Sequence, residues 1–379
     1  MRIEIMEQYI DWLLRESTPA CPMWNVERLR NGEKPAWNYI DGCMMNALLK
    51  LYERTGEERC FRFVCDFLDT LVDKEGGMTG FEEAAYNLDF IFSGNALIDV
   101  YQATGKEKYR KAMNKLRAQL ANQPRTTEGN YWHKKIYPHQ VWLDGLYMAQ
   151  IFRARWDKYF GDASEYPDIF NQFVNVRKRM FDEDTRLYRH AYDSAKKMFW
   201  ADERGLSKNV WLRGVGWFAA ALIDVAEAFP EDFAEGRAWM GKTLTELFKG
   251  MLPYLDNESG MFLQVVDYPK GSGNYPEMSG SALIAYAMMK SARLGLVDES
   301  WRRIGAGLFE HTREKYLKET PDGFSLGGIC LSAGLGPEGN TRRDGSYAYY
   351  ISEPVVENEA KGIAPFLYCY AEILYDGLG

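Results

Sequence analysis

Hydrophobic positions along this chain follow two alternating patterns. In the first, an aromatic and polar lead-in meets a small residue, then a stretch that is apolar nearly all round. Six segments share it: "AWNYIDGCMMNALLKLYERTG", "YNLDFIFSGNALIDVYQATG", "HQVWLDGLYMAQIFRARW", "NVWLRGVGWFAAALIDVAEAF", "YPEMSGSALIAYAMMKSARLG" and "ENEAKGIAPFLYCYAEILYDG". Their glycines fall at Gly42, Gly94, Gly145, Gly214, Gly280 and Gly362. The intervals are uneven, so the repeat is one of structure rather than of copied sequence.

The second pattern is one-sided. Tyr109, Met113, Leu116 and Leu120 recur at helical spacing, as do Ile169, Phe173, Val176 and Met180, each among charged residues. Similar stretches start near Phe61, Met240 and Trp301, and the N-terminal one carries Ile3, Met6, Ile10 and Leu13. A helix with one apolar stripe covers a core, whereas a helix that is apolar all round must itself be covered. Six of each kind in alternation predict an all-α fold, an (α/α)6 barrel with an inner and an outer ring. The N-terminal helix supplies the sixth outer member, and residues 1–379 form one catalytic domain. Strand-like material is confined to short pieces such as "GMFLQVVDY" and "GFSLGGICLSAG".

In such a barrel the inner helices all begin at one end, and the residues at their starts converge on one mouth. That mouth collects Trp37, Tyr39, Asp41, Asp89, Trp142, Asp144, Trp211, Arg213, Trp217, Glu277, Glu357 and Lys361. Composition sharpens the picture. Aromatic residues make up 15% of the chain, an excess that suits a carbohydrate cleft as well as a core. The net charge of −8 argues against nucleic acid or an acidic membrane as the main partner. The six Cys and four His show no metal-ligand spacing, so buried, reduced thiols and no metal site are expected. The N-terminus lacks the layout of a signal peptide and no apolar run is long enough to span a membrane, which fits a cytoplasmic enzyme. The chain is expected to act as a monomer or small homo-oligomer.

Each candidate residue has a structural and a chemical reading. Asp144, between Leu143 and Gly145, is either a helix cap or a buried carboxyl able to donate a proton. Asp89, one repeat earlier, is either a turn acid or the second carboxylate that keeps a proton on Asp144. His133 and Lys134 lie in a loop, where solvation is the common fate. His190, between an outer and an inner helix, is a candidate substrate contact. Arg213 is either half of an ion pair or a fork for a carboxylate. Trp211 and Trp217 are core or sugar-stacking surfaces, and Trp37 and Tyr39 join them at the rim. The long Gly-rich segment 327–362 is either a cover over the bowl or plain packing between helix pairs.

Four stretches in order, "YNLDFIFSG", "HQVWLDGLYMA", "WLRGVGW" and "GLGPEGNTRRDGSYAYYISEPVVENEAKGIAPF", resemble the unsaturated rhamnogalacturonyl hydrolases of glycoside hydrolase family 105. The resemblance covers nearly the whole chain. The related unsaturated glucuronyl hydrolases of family 88 share some of the pattern. It implies release of a 4,5-unsaturated uronic acid from the non-reducing end of a lyase-generated oligosaccharide, a galacturonyl unit on rhamnose in the first instance. The reaction hydrates the C4=C5 double bond and needs no cofactor. It further implies that Asp144 is the general acid/base and Asp89 its partner. Lys134, His190, Trp211, Arg213 and Trp217 would line the pocket. Two other classes compete on the same residues, a sugar epimerase and a non-catalytic carbohydrate-binding protein. An epimerase would call for a His pair on inner helices, and none of the four His falls there.

Overall fold

The computed structural model describes residues 2–375. In chain order its helices are α1 (Glu4–Glu16), α2 (Val26–Asn31), α3 (Tyr39–Thr55), α4 (Glu58–Leu71), α5 (Gly94–Thr104), α6 (Glu107–Ala121) and α7 (Leu143–Phe160). They continue with α8 (Tyr166–Met180), α9 (Leu212–Ala228), α10 (Ala234–Met251), α11 (Met278–Arg293), α12 (Ser300–Tyr316), α13 (Tyr347–Ser352) and α14 (Ala360–Tyr375).

The apolar segments form a closed inner ring. α3, α5, α7, α9, α11 and α14 each pack on the next, and α14 returns to α3. α4, α6, α8, α10 and α12 each lie against the inner helix that precedes them. α1 takes the remaining outer place, where the Ile3 N–H donates to the Tyr370 hydroxyl of α14 (3.2 Å) and that hydroxyl donates to Glu7. Burial follows the sequence pattern. Every residue of α9 except Glu227 is buried, whereas α4 buries a single stripe of Cys60, Phe63, Val64, Phe67, Leu68 and Leu71. The expected (α/α)6 barrel is the observed fold.

Small residues at the inner-helix starts let the helices approach closely. A Cβ on Gly94 would lie 2.7 Å from Leu116 and Phe152, and one on Gly280 would lie 2.4 Å from Leu212. Strands are short and peripheral, as expected. The sequence patterns missed the pair that matters most, Gln140–Trp142 antiparallel to Ala191–Asp193. Among the described residues all six cysteines are free thiols. Four are buried, but Cys65 is half-buried and Cys21 is exposed, so the expectation of buried thiols holds only in part. No helix among the described residues is long and apolar enough to cross a membrane.

Candidate active site

Several charges at the mouth are consumed by the framework. Asp41 accepts hydrogen bonds from Trp24 (3.1 Å), Asn25 (2.8 Å) and Asn38 (2.9 Å), which fixes the first turn of α3. Glu277 caps α11 by accepting from the Ser279 and Gly280 N–H groups, and also takes the Cys330 N–H. Lys361 pairs with Glu359 (2.7 Å) and Glu27 (3.1 Å). The buried acid there is Glu359; Glu357, expected at the mouth, is exposed.

What is left forms two clusters. The first is Asp144 with His190. Asp144 is the second residue of α7, whose N-cap is Trp142, so it is not the capping residue. The strand pair Gln140–Trp142 and Ala191–Asp193 brings His190 alongside, and the Leu143 N–H donates to the His190 carbonyl (3.1 Å). The His190 ring is fully buried and held at both nitrogens, by Asp144 Oδ2 at 3.1 Å and by the Tyr350 hydroxyl at 2.7 Å. Gly214 makes room: a Cβ there would sit 3.2 Å from His190 Cδ2 and 3.7 Å from Asp144 Oδ2.

The second cluster is Asp89 with Lys134 and His133. Asp89 lies in a short 3-10 turn before α5, and its carboxylate meets Lys134 at 2.5 Å and His133 Nε2 at 3.4 Å. His133 is not a solvated loop residue. It is 3% exposed and its ring stacks on Trp142 at 4.5 Å and 8°. The His133 N–H donates to the Gln140 carbonyl and its own carbonyl accepts from Leu88, which ties Asp89 to the strand leading into Asp144.

These partners set the electrostatics. Burial alone pushes the Asp144 carboxyl up, but the His190 hydrogen bond and the nearby imidazole charges outweigh it, and the carboxyl is held below its ordinary value. Burial pushes His133 down to about 4 although the Asp89 charge pulls the other way, so this ring is neutral at pH 7. The expectation that Asp89 holds a proton on Asp144 does not match the geometry: Asp89 pairs with Lys134, and His190 is the side chain bonded to Asp144.

Arg213 opens α9, a helix end whose partial positive charge disfavours a cation. It is buried, donates to the Cys330 carbonyl and to Ser279 Oγ (3.2 Å), and lies 4.9 Å from the Trp211 ring. Trp211 is buried as well, stacked on Tyr350 and joined to Gln264, which also donates to the Tyr350 carbonyl (3.2 Å). Trp217 departs from expectation. It lies one turn deeper and packs on Tyr147 (4.5 Å), which stacks on Phe92, so its ring is a floor beneath the site rather than an open stacking face. Trp37 is also buried, its indole N–H donating to the Phe90 carbonyl (2.7 Å), while Tyr39 is only half-buried. The segment 327–362 contributes to the site through single contacts. Its α13 supplies Tyr350, and Arg343 and the Trp142 ring both reach Gly334, within 3.3 Å of where a Cβ would sit. Tyr350 and Arg343 are residues near the site that the sequence reading did not single out, and His133 is one that it read as solvated. "YWHKK" and "NTRRDGSYAYY" contain them, but no periodicity marks which side chains turn inward.

A closed double ring of helices, carrying a buried acid–imidazole pair and an arginine at one mouth, is the framework of a helical-barrel glycosidase. The chain belongs to Glycosyl Hydrolase Family 88, whose model matches residues 18–375. A glycoside hydrolase of family 105 from C. acetobutylicum is 38% identical with a TM-score of 0.89, over 99% of both chains, in line with the expected resemblance. The unsaturated rhamnogalacturonyl hydrolase YesR of Bacillus subtilis is 26% identical over 68% of this chain and 72% of its own. Protein Atu3128 of Agrobacterium fabrum is 38% identical over 60% of this chain and 98% of its own.

Proposed function

We propose that this glycoside hydrolase removes a 4,5-unsaturated uronic acid, a galacturonyl unit linked to rhamnose, from the non-reducing end of oligosaccharides left by a lyase. The observation that carries the reading is the buried Asp144–His190 pair, with the Asp89–Lys134 ion pair joined to it through His133 and the strand leading into α7. The likeness to YesR supports the choice of sugar.

The substrate is a vinyl ether bearing a carboxylate. Asp144 gives a proton to C4, and the positive charge that develops at C5 is shared with the ring oxygen. Water adds at C5 and returns its proton to Asp144, which ends as it began. The hemiketal at C5 then opens and the glycosidic bond is lost, giving a 4-deoxy-5-keto uronate and the free neighbouring sugar. The net change is the addition of one water. Because the anomeric carbon is not attacked, the spacing rule for paired glycosidase carboxylates does not apply. Arg213 and Lys134 supply positive charge toward the substrate carboxylate, and Tyr350 fixes the imidazole that positions Asp144. Tyr39 and Trp211 complete the wall.

The test is a panel of lyase-generated unsaturated disaccharides, followed by loss of their short-wavelength ultraviolet absorbance. Turnover of galacturonyl-rhamnose well above glucuronyl disaccharides is expected. The reverse order would make this chain a glucuronyl hydrolase, and epimerised products without water uptake would refute hydration altogether.

A further inference from the structure

A second cavity lies at the other end of the barrel. It holds about 640 Å³, within the range of ligand pockets, and all six inner helices contribute to its wall. Its lining runs down α7 through Tyr147, Ile151 and Arg155. At the helical rise, Arg155 stands about 16 Å further along α7 than Asp144. The floor of Trp217, Tyr147 and Phe92 lies between the two.

Three lysines line this cavity; Lys158 is exposed, and the other two sit in unequal circumstances. Lys290 is saturated: its Nζ meets Asp224 (2.5 Å), Glu227 (2.8 Å) and the Tyr286 hydroxyl (3.0 Å). Lys50 has no hydrogen bond or ion pair among the described residues. Its Nζ lies only over the rings of Tyr286 (5.4 Å) and Tyr368 (5.6 Å). The strongest charge acting on it is the like charge of Lys290, ahead of Asp224 and Glu227, and burial and that repulsion together depress its pKa. A cation with three unused donors in a roomy, aromatic-walled cavity is a receptor for an anion. Around it, Asn46 spends its amide N–H on the Gly42 carbonyl and keeps its oxygen, and Asp224 and Glu227 present carboxylate oxygens. Acceptors of that kind suit hydroxyl groups.

We infer that the cavity at the C-terminal ends of the inner helices is a second binding site, taking a sugar-sized polyhydroxylated anion whose carboxylate or phosphate pairs with Lys50. This does not depend on the reaction assigned to the opposite mouth.

Calorimetric titration of the wild-type enzyme and of Lys50→Met with galacturonate, galactose 1-phosphate and galactose tests it. In the wild type, at least one anion should bind at a site that galactose does not fill. Lys50→Met should weaken that event tenfold or more, Lys50→Arg should retain it, and turnover of an unsaturated disaccharide should stay within twofold. Binding by galacturonate alone identifies a carboxylate, and by galactose 1-phosphate alone a phosphate. Should Lys50→Met fail to fold, reductively methylated wild-type enzyme serves instead, because the Lys50 dimethyl-amine NMR signal must move on adding the anion. A Lys50→Met titration matching the wild type, galactose binding as tightly as either anion, or an unmoved Lys50 signal would overturn the assignment.

Discussion

His190→Ala probes the site most directly, since His190 joins Asp144 to Tyr350 through its two ring nitrogens. The lost 3.1 Å bond to Asp144 is one to a charged group, which contributes about 1.5–3 kcal/mol. If that bond orients Asp144 in the transition state, kcat/KM should fall roughly 10- to 150-fold, at about 1.4 kcal/mol per tenfold. A second effect has a definite sign. His190 lowers the Asp144 pKa, whereas burial raises it, and burial remains in the variant. Asp144 should then keep its proton to higher pH. With protonated Asp144 as the donor, the alkaline limb of kcat/KM should move up as the maximum falls. The assay is loss of unsaturated-uronide absorbance across pH 4 to 9, with His190→Gln as a variant that keeps a donor but cannot ionise. A drop in rate with the alkaline limb unmoved, or moved down, would falsify the assignment of Asp144 as the acid that His190 tunes.

The other predictions concern its neighbours. Asp144→Asn should cost about 10²–10⁴ in kcat, the usual range for a general acid–base, with substrate affinity by calorimetry changed far less. His133 stays neutral in the fold down to about 4 but titrates near 6.5 when unfolded, so it costs stability as pH falls from about 6.5 to 4, to the extent of about 3 kcal/mol. Urea midpoints of His133→Phe should accordingly fall less over that window than those of the wild type. Asp89→Asn and Lys134→Met, in contact at 2.5 Å, should be non-additive in kcat/KM, with a double-mutant coupling of about 1 kcal/mol or more. Trp217→Ala should lower stability by about 3–5 kcal/mol in urea unfolding, as loss of a buried ring does, rather than selectively raising KM.

The barrel was legible because its signal is one of burial, and burial writes itself into periodicity. α9 is apolar all round and α4 on one stripe, and that contrast alone assigns each to its ring. The position of Asp144 at an inner-helix start was legible for the same reason. Its partner was not. Asp89 and Asp144 precede the glycines of successive repeats, which suggested a pair, but Asp89 lies in the turn before α5, where it meets Lys134, and Asp144 lies inside α7. What selects His190 is a two-stranded pairing of three residues on each side, too short to leave an alternating pattern. His133 was lost because a loop histidine reads as solvated until the Trp142 ring is seen against it. Trp217 was misplaced by one helical turn, enough to carry a side chain from the mouth to the floor.

The direction of the Asp144 shift bears on how the site works. A proton donor whose carboxyl is held low by its protein partners looks mismatched to its task at neutral pH. The mismatch resolves once the substrate is counted as part of the electrostatics. A uronide brings its own carboxylate and displaces water, and both changes disfavour a second negative charge nearby. Each therefore raises Asp144. His190 is hydrogen-bonded to Asp144 at one nitrogen and to Tyr350 at the other, so the carboxyl stays oriented as the sugar seats. A neutral sugar would desolvate the pair without adding charge and would raise Asp144 less. On this reasoning the carboxylate of the substrate arms the acid as well as anchoring the ligand. The Asp144 pKa in the enzyme–substrate complex, read from kcat, should then lie above that of the free enzyme, read from kcat/KM. Equal values in the two profiles would mean that the acid is armed by the protein alone.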